Sequence, residues 1–558
     1  MPPALRSFLL FSILVFPLAT LVVPNAESII CGLLMLYGLS VGWGSPAWRL
    51  LDRDEKRVWL AWLGMFGVAY LSFILGRDTS LGFRILGRDL RWAVFPPVYL
   101  AVRRLRPSAR LVGWALLLGV AAAATVAIVA VAERGWGYRP RGVVGVPIVF
   151  GDLALFMGFM AVPLLLADGA RPRPLRFLAA GAALAFGLTA SILSESRGGW
   201  LAIPVFAMIL AYAWLPSRSL RTALLVGLGL AAGFLLLVWI TPVGSRIRHA
   251  ATDVMAIVQA QPDRSGALGC LDGHAYLSGL SKALLVLSDR QSLGIRVVPG
   301  RPALAASGWG SRCPGGETLA FDNRSHRETA RVAFPQLQRP GQTEWPVEFL
   351  VRGQGILSAG SGPRAVQAFR KQRSFAPVRV ILDEPKRRPA IEIPPGGVLE
   401  AIPIQLYPGQ YSDYPLETSL GLRLEMWRAA WRMFLEHPLL GVGTGAYRDT
   451  AAAWVRSGYL IKNATGYDHP HQDFLNTLAS QGIVGLLFLL AVYYLPGRLF
   501  FRMSRAKGSS RSAFGLAGCL LTGGIVIGGL TETLFIHSAV ITWYTVLVAV
   551  LCCQASLL

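Results

Sequence analysis

At residues 466–474 the chain reads Gly466-Tyr467-Asp468-His469-Pro470-His471-Gln472-Asp473-Phe474, and an apolar run from Leu475 to Leu490 follows. Asp468 predicts a helix N-cap, and Pro470 predicts the first turn of that helix. Two imidazoles fall here, in a chain with only 7 histidines. The positive end of a helix dipole disfavours a charged imidazole and attracts anions such as phosphate. The stretch therefore predicts a proton-accepting base beside an anion site at a membrane surface.

The composition indicates a membrane protein. Of 558 residues, 53% are hydrophobic, and the mean hydropathy is +0.49. The first apolar run is too closely followed by others to be only a signal peptide. Because a span needs about 20 apolar residues, we expect an α-helical integral membrane protein with about twelve transmembrane helices. They are predicted at 5–24, 27–44, 57–75, 90–102, 110–132, 148–167, 175–194, 199–215, 221–242, 481–500, 512–530 and 536–555.

Basic residues are unevenly distributed between the predicted loops. With the N-terminus inside, the short inner loops carry 18 Arg and Lys and the short outer loops carry 7. Positive loops stay in the cytoplasm, so residues 1–243 form spans one to nine, 244–480 lie outside, and 481–558 form spans ten to twelve. The net charge of +23 then reflects inner loops facing anionic lipid rather than nucleic acid.

The outer segment changes composition at about 255–415, where long apolar runs stop and Gly, Pro, Ser and Arg become frequent. Alternating segments at 347–351, 378–382 and 390–393 predict strands of a β-rich periplasmic insertion. It serves either sugar or partner contact or a purely structural purpose. Cys270 and Cys313 also lie in this region, where an oxidising compartment permits a disulfide; two free thiols are the alternative.

The flanks at 419–480 carry an amphipathic helix and a glycine-rich turn. Residues 419–436 predict a helix suited to the membrane interface, with one apolar face formed by Leu420, Leu424, Trp427, Trp431 and Phe434. Pro438 ends it. The glycines at 441–445 predict a turn rather than a nucleotide loop, because no strand precedes them.

Charged residues in apolar surroundings are candidates for function, and four stand out: Asp152, Glu195, Arg197 and Glu532. Glycines follow Arg197 and allow close approach of the backbone to a ligand; a structural pairing of Arg197 with Glu195 is the alternative. Arg423 is either a second functional arginine or a solvated charge of the amphipathic helix. Together the two arginines would suit a diphosphate, whose oxygens match the planar guanidinium.

The histidines allow three interpretations. Asp468, His469, His471 and Asp473 offer ligands that zinc or manganese accepts. However, His469 and His471 flank a proline instead of standing four residues apart on one helical face, so the spacing does not diagnose a metal. A structural surface histidine and a catalytic base remain, and we expect the base.

Three segments resemble the O-antigen ligase and polymerase superfamily: 196–200, Arg423 with 437–443, and 469–471. More narrowly, His471-Gln472, nine residues and then Gly482-Ile483-Val484-Gly485 is similar to the ligase-type spacing. The resemblance covers the membrane block and both flanks of the outer segment but leaves out 255–415.

The resemblance implies a fold like that of C-type glycosyltransferases in a bacterial inner membrane, with the active site facing the periplasm. It implies inverting transfer of a glycan from undecaprenyl diphosphate to lipid A–core oligosaccharide, with no cofactor and no metal. His471 would be catalytic, Arg197 and Arg423 would bind the diphosphate, and Glu532, His469 and Glu195 would support them. An O-antigen or exopolysaccharide polymerase, a protein O-oligosaccharyltransferase, a lipid-linked glycan transporter and a binding protein are the alternatives.

Overall fold

The computed structural model describes most of the apolar parts of the chain and a core of the outer segment. The described residues are 1–42, 51–76, 80–167, 174–214, a few between 222 and 233, 294–298, 318–322, 330–333, 345–358, 366–382, 390–405, 419–456, 467–506 and 509–554. Contacts divide the chain into two compact units. Unit one contains Met1–His249, Met426–Arg448 and Asp468–Leu558, and unit two contains Ala250–Glu425 and Asp449–Tyr467.

The described residues form fifteen α-helices. They are α1 (Pro3–Val22), α2 (Ala26–Gly42), α3 (Arg53–Leu75), α4 (Ser80–Ala93), α5 (Phe95–Leu105), α6 (Ala109–Arg134), α7 (Pro147–Leu165), α8 (Pro174–Leu193), α9 (Arg197–Trp200), α10 (Ile203–Trp214), α11 (Ser419–Glu436), α12 (Tyr447–Arg456), α13 (Asp473–Ser504), α14 (Ser509–Thr531) and α15 (Ser538–Cys552). A 3-10 turn, Leu534–Ile536, connects the last two.

Seven of the described helices are long and apolar enough to cross a membrane, and this agrees with a multi-pass membrane protein. They are α1, α3, α6, α7, α8, α13 and α14. Shorter apolar helices match predicted spans two, eight and twelve. Predicted span nine, 221–242, lies mostly outside the described residues. The total of twelve spans therefore stays a prediction.

Predicted span four, 90–102, is not one helix. The chain breaks at Val94, between α4 and α5, where Pro96 and Pro97 occupy the first turn of α5. Because an α-helix rises 1.5 Å per residue, the 11 residues of α5 extend only about 16 Å. That is about half the hydrocarbon thickness of a bilayer, so α5 alone does not span it.

Helix α7 lies in the interior of unit one. Every residue from Val149 to Leu165 is buried, and a helix that is apolar all round belongs in a core. A Cβ added to Gly158 would lie 2.7 Å from the Ala183 carbonyl oxygen, and one added to Gly187 would lie 2.8 Å from that of Ala154. These glycines let the backbones of α7 and α8 approach closely, as small residues do in membrane bundles.

Helix α13 is broken at Gly482, whose φ of 65° and ψ of −161° are not helical. Residues 438–443 lie against the break and bond with both of its sides. The N–H groups of Val442 and Gly443 donate to the carbonyls of Ala479 and Ser480, at 2.8 and 3.2 Å. Beyond the break, the Ile483 N–H donates to the Pro438 carbonyl at 2.8 Å, and the Val484 N–H donates to the Leu439 carbonyl at 3.3 Å.

The glycine-rich turn at 441–445 was predicted correctly as a turn. Gly441, Gly443 and Gly445 all have positive φ, which explains why glycine recurs at every second position. The turn is also bonded to α3: the Ser72 hydroxyl lies 2.9 Å from the Leu440 carbonyl oxygen and 2.7 Å from that of Ser480.

Unit two contains a seven-stranded antiparallel sheet. Its strands are β1 (Gly294–Val298), β2 (Thr318–Asp322), β3 (Ala330–Ala333), β4 (Trp345–Ser358), β5 (Val366–Leu382), β6 (Ala390–Ile393) and β7 (Val398–Gln405). The order is β1-β2-β7-β4-β6-β3, and β5 pairs with the other edge of β4. The three alternating segments of the sequence analysis lie in β4, β5 and β6. Much of 255–415 falls outside the described residues.

Helix α11 has the predicted bounds but buries a different face. Its buried residues include Glu425, Met426, Ala429, Ala430 and Met433, whereas Trp431 is 46% exposed. The apolar face that includes Trp431 was expected to lie at a membrane interface. The face that is buried in the protein instead carries the methionine and alanine side chains. The boundary between the two units falls inside this helix, after Glu425.

Four cysteines of the described residues are free, and all four lie in or next to apolar helices. Cys31, Cys552 and Cys553 are buried and Cys519 is partly buried. Cys270 and Cys313 lie outside the described residues, so their disulfide stays a prediction.

Replacing Gly482 by Ala should destabilise the protein. A Cβ there would lie 2.3 Å from the Leu439 carbonyl, and glycine-only backbone conformations cost other residues about 1–3 kcal/mol. We expect a lower midpoint of thermal unfolding in detergent. Gly67→Ala in α3 is the control, since its Cβ meets nothing within 4 Å. Equal midpoints for the two variants would contradict the proposed importance of the break.

Candidate functional site

The histidine stretch precedes α13 rather than forming its first turn. Gln472, not Asp468, is the N-cap, and its side-chain oxygen accepts the Leu475 N–H. Pro470 therefore lies outside the helix, contrary to the sequence prediction. The reason is the backbone of His471, whose φ of 54° is left-handed and cannot continue a right-handed helix. Non-glycine residues in this region cost energy and concentrate at functional sites.

Both histidines converge on one buried carboxylate. The Nδ1 atom of His471 lies 2.7 Å from Oε1 of Glu532, and the Nε2 atom of His469 lies 3.5 Å from the same oxygen. Glu532 is 2% exposed, and its Oε1 also accepts the Thr533 N–H at 3.0 Å. The sequence analysis singled out each residue separately. The structure brings the three together across 61 positions of the chain.

Asp468 is the partner of His469. Its Oδ1 lies 2.9 Å from Nδ1 of His469, and this hydrogen bond lowers the pKa of Asp468 to about 2. Burial alone would lower the pKa of His469, but the hydrogen bond to Asp468 and the neighbouring carboxylate of Glu532 outweigh it and raise that pKa. Burial also lowers the pKa of nearby His537 to about 4, and the charge of His469 acts in the same direction.

Further hydrogen bonds hold the stretch in place. The Gln472 N–H donates to the Thr533 hydroxyl at 2.8 Å, and Oδ1 of Asp473 accepts the Phe535 N–H at 3.2 Å. On the other side, the Trp427 indole N–H donates to the Pro470 carbonyl at 2.8 Å. Asp473 is thus turned toward the 3-10 turn. The four-residue metal set considered from the sequence is not assembled, because Glu532 takes the position next to both rings.

Arg197 follows a strained turn that is held from two sides. Glu195 has a φ of 55°, and Arg139 fixes it: its Nε donates to the Ser194 carbonyl at 3.1 Å and its Nη2 to that of Glu195 at 3.3 Å. The same guanidinium lies 3.4 Å from the Glu195 carboxylate. Ser196 donates to the Ile148 carbonyl at 2.9 Å and also contacts the Asp152 carboxylate of α7.

This turn lies against the chain next to Glu532. A Cβ on Gly198 would lie 2.3 Å from the Thr531 hydroxyl oxygen, and one on Gly199 would lie 2.3 Å from Asp152. Gly198 therefore allows the helix of Arg197 to pack directly against the end of α14, and Gly199 allows it to pack against α7. Arg423, by contrast, belongs to unit two, so the convergence of both arginines on one cavity stays a prediction.

Residues 402–490 match the family model for O-antigen ligases. The resemblance to the O-antigen ligase superfamily is confirmed over this segment. An uncharacterized protein of Haemophilus influenzae is 29% identical over 79 residues, 14% of this chain and 20% of that protein. The chain thus matches only about a fifth of that relative's length.

The segment that matches the O-antigen ligase family contains Arg423, the turn at 441–445, both histidines and Gly482. The break in α13 gives a physical reason for the glycine that follows the histidine in the ligase-type spacing. Arg197 and Glu532 lie outside the match, so their roles stay predictions.

Sequence reasoning did not identify Arg139, Thr533 or Asp468 as the residues that position the site. Arg139 is one of several arginines between α6 and α7, and nothing in its immediate sequence distinguishes it. Asp468 was assigned as a helix cap, because aspartate at that distance from an apolar run is common at helix starts. Only the three-dimensional arrangement separates these roles.

Arg139→Ala should loosen the turn that precedes Arg197. It removes two charged hydrogen bonds to backbone carbonyls, and bonds of this kind are worth about 1.5–3 kcal/mol. We expect a lower unfolding midpoint, whereas exposed Arg141→Ala should leave it unchanged. Arg139→Lys should recover only part of the lost stability, because one ammonium group cannot replace the Nε and Nη2 donors of the guanidinium. Identical unfolding midpoints for all three variants would show that the hydrogen bonds of Arg139 do not stabilise the turn.

Proposed function

We propose that the chain is an O-antigen ligase-like glycosyltransferase. It moves a glycan from undecaprenyl diphosphate to lipid A–core oligosaccharide in an inner membrane, with the site facing the periplasm. The observation that carries the proposal is the contact of 2.7 Å between His471 and buried Glu532. The match to the O-antigen ligase family at 402–490 supports the class of enzyme.

In this proposal His471 is the general base. With its Nδ1–H directed at Glu532, the other ring nitrogen, Nε2, is left to accept a proton. Such a carboxylate fixes the orientation of the imidazole and stabilises the cation that forms. His471 takes the proton of an acceptor hydroxyl, whose oxygen attacks the anomeric carbon. The bond from that carbon to the diphosphate breaks, the diphosphate keeps the electron pair, and the configuration inverts.

Arg197 and Arg423 are assigned to the diphosphate. Negative charge grows on the leaving group as the glycosidic bond breaks, and fixed cations aimed at that charge stabilise the transition state. The hydrogen bonds of Arg139 to the turn before Arg197 support this role, since they fix the backbone from which the Arg197 side chain extends. Diphosphate is already a competent leaving group, so the donor itself supplies the driving force outside the cytoplasm, and the proposal includes no metal.

An apolar cavity supports a donor with a long lipid chain. It has a volume of about 1010 Å³ and lies between α10, α13 and α14. Phe474, next to the site, lines one end, and Arg505, at the other end of α13, also lines it. A polyprenyl chain would lie there with its diphosphate toward Arg197.

Two other functions share parts of this arrangement. A polymerase or a protein O-oligosaccharyltransferase would use the same donor, base and arginines with another acceptor; the ligase-type spacing of His471 and Gly482 favours the ligase. A transporter would place polar residues at mid-membrane, whereas the polar cluster here lies at the starts of α9 and α13 and the end of α14.

Substitution of the base and the arginines should abolish transfer without lowering the amount of protein. General bases contribute about 10²–10⁴-fold to rates, so His471→Ala should lose at least that factor in a reconstituted transfer assay. Arg197→Ala and Arg423→Ala should also be inactive. Glu532→Gln, which keeps a hydrogen-bonding oxygen, should fall between wild type and Glu532→Ala. Exposed Arg141→Ala and Glu436→Gln are the matched controls, and wild-type activity in His471→Ala would remove the base assignment.

Deletion of the gene should separate the rival acceptors. For a ligase, lipopolysaccharide gels should show intact core without long chains while polymerised carrier-linked glycan accumulates. Core bearing a single repeat would instead indicate a polymerase, and unchanged lipopolysaccharide would exclude both. Complementation with the wild-type gene, but not with His471→Ala, is the control.

A further inference from the structure

The Nε2 atom of His469 lies in a buried position beside the carboxylate of Glu532. Nε2 is buried and makes no hydrogen bond within the described part of the chain. It lies 3.5 Å from Oε1 of Glu532, and His469 as a whole is only 8% exposed. In the neutral tautomer whose Nδ1–H is donated to Asp468, the lone pair of Nε2 is directed to the side of the carboxylate oxygen, where a proton or a metal ion can bind.

A third donor points at the same place. The ligand atoms of His469, His471 and Glu532 all lie within 4.8 Å of one another. Zinc binds imidazole nitrogen and carboxylate oxygen at about 2.0–2.2 Å in a tetrahedron, which places neighbouring ligand atoms about 3.3 Å apart. The 3.5 Å separation already suits this geometry. The 2.7 Å contact of His471 with Glu532 must open by a few tenths of an ångström.

The surroundings contain the support that zinc ligands normally have. A metal-bound histidine usually donates its other N–H to a carboxylate, which orients the ring and raises its basicity. Asp468 takes this position at 2.9 Å from Nδ1 of His469. Two imidazoles with one carboxylate form a known zinc ligand set, which leaves the fourth position to water.

We propose that His469, His471 and Glu532 form an inhibitory site for a zinc-like divalent ion. The ion occupies Nδ1 of His471 and the carboxylate of Glu532, and so separates the pair that orients the base. This inference rests on the proposed function, because only there does the pair carry out catalysis. Excess zinc in the outer compartment then switches transfer off reversibly, and a metal-free enzyme remains fully active.

The site can be tested by binding without reference to activity. Full-length protein in detergent, treated with chelator and dialysed, is titrated with Co²⁺, whose visible absorption reports tetrahedral coordination; zinc then competes. We expect one ion per chain. His469→Ala should weaken binding at least tenfold, and Asp468→Asn about 10–100-fold, as for other outer-shell partners. Exposed His437→Ala is the matched control and should bind like wild type.

Activity supplies the second measurement. Zinc should inhibit transfer with the same midpoint as its binding, and chelator should restore it. Binding that is unaffected by His469→Ala and Asp468→Asn, or that is lost in His437→Ala, would show an adventitious surface ion and overturn the proposal. Stimulation by zinc would overturn the inhibitory role. Stoichiometric binding with the expected variant pattern, in a protein without transferase activity, would support the site and reject only the proposed function.

Discussion

The exchange of backbone hydrogen bonds between residues 438–443 and the break in α13 is the constraint on which the arrangement of the site depends. A helix interrupted at Gly482 leaves N–H and C=O groups that lipid cannot satisfy, and each such group costs several kcal/mol. Here residues 438–443 supply the missing donors and acceptors on both sides. The part of α13 before the break is thereby tied to α3 and to the end of α11, and the histidine stretch directly precedes it.

The site itself is a junction between two distant segments. Residues 468–473 and 531–535 are joined by hydrogen bonds from both main chain and side chains, and the carboxylates of Asp473 and Glu532 are buried among them. An unsatisfied member of such a network costs energy, and Nε2 of His469 is a buried atom without a hydrogen bond among the described residues. The left-handed backbone of His471 prevents this residue from continuing α13 and allows its ring to contact Glu532. The hydrogen bonds of the neighbouring residues hold this strained conformation in place.

Much of this was predictable from the sequence, and the errors have physical causes. Long apolar runs gave the membrane class and most of the spans, and α11 has the predicted bounds. The short predicted span at 90–102 failed because prolines divide it. The cap of α13 was misplaced because Gln472 acts where Asp468 was expected. Arg197 and Glu532 could be picked out as charged groups in apolar surroundings, and His471 from the histidine stretch before an apolar run. The pairing of His471 with Glu532 depends on tertiary contacts that no local pattern encodes. The roles of Arg139 and Asp468 depend on the same kind of contact.

The broken helix has a consequence for how the protein is made. A ribosome produces residues 438–443 before it produces 473–504, so the segment that completes α13 already exists when that helix enters the bilayer. The part beyond Ile483 is apolar and can insert alone, whereas 473–481 must wait for its partner. Translation order thus matches the order of assembly, and circular permutation with new termini between Gly443 and Asp473 would reverse it.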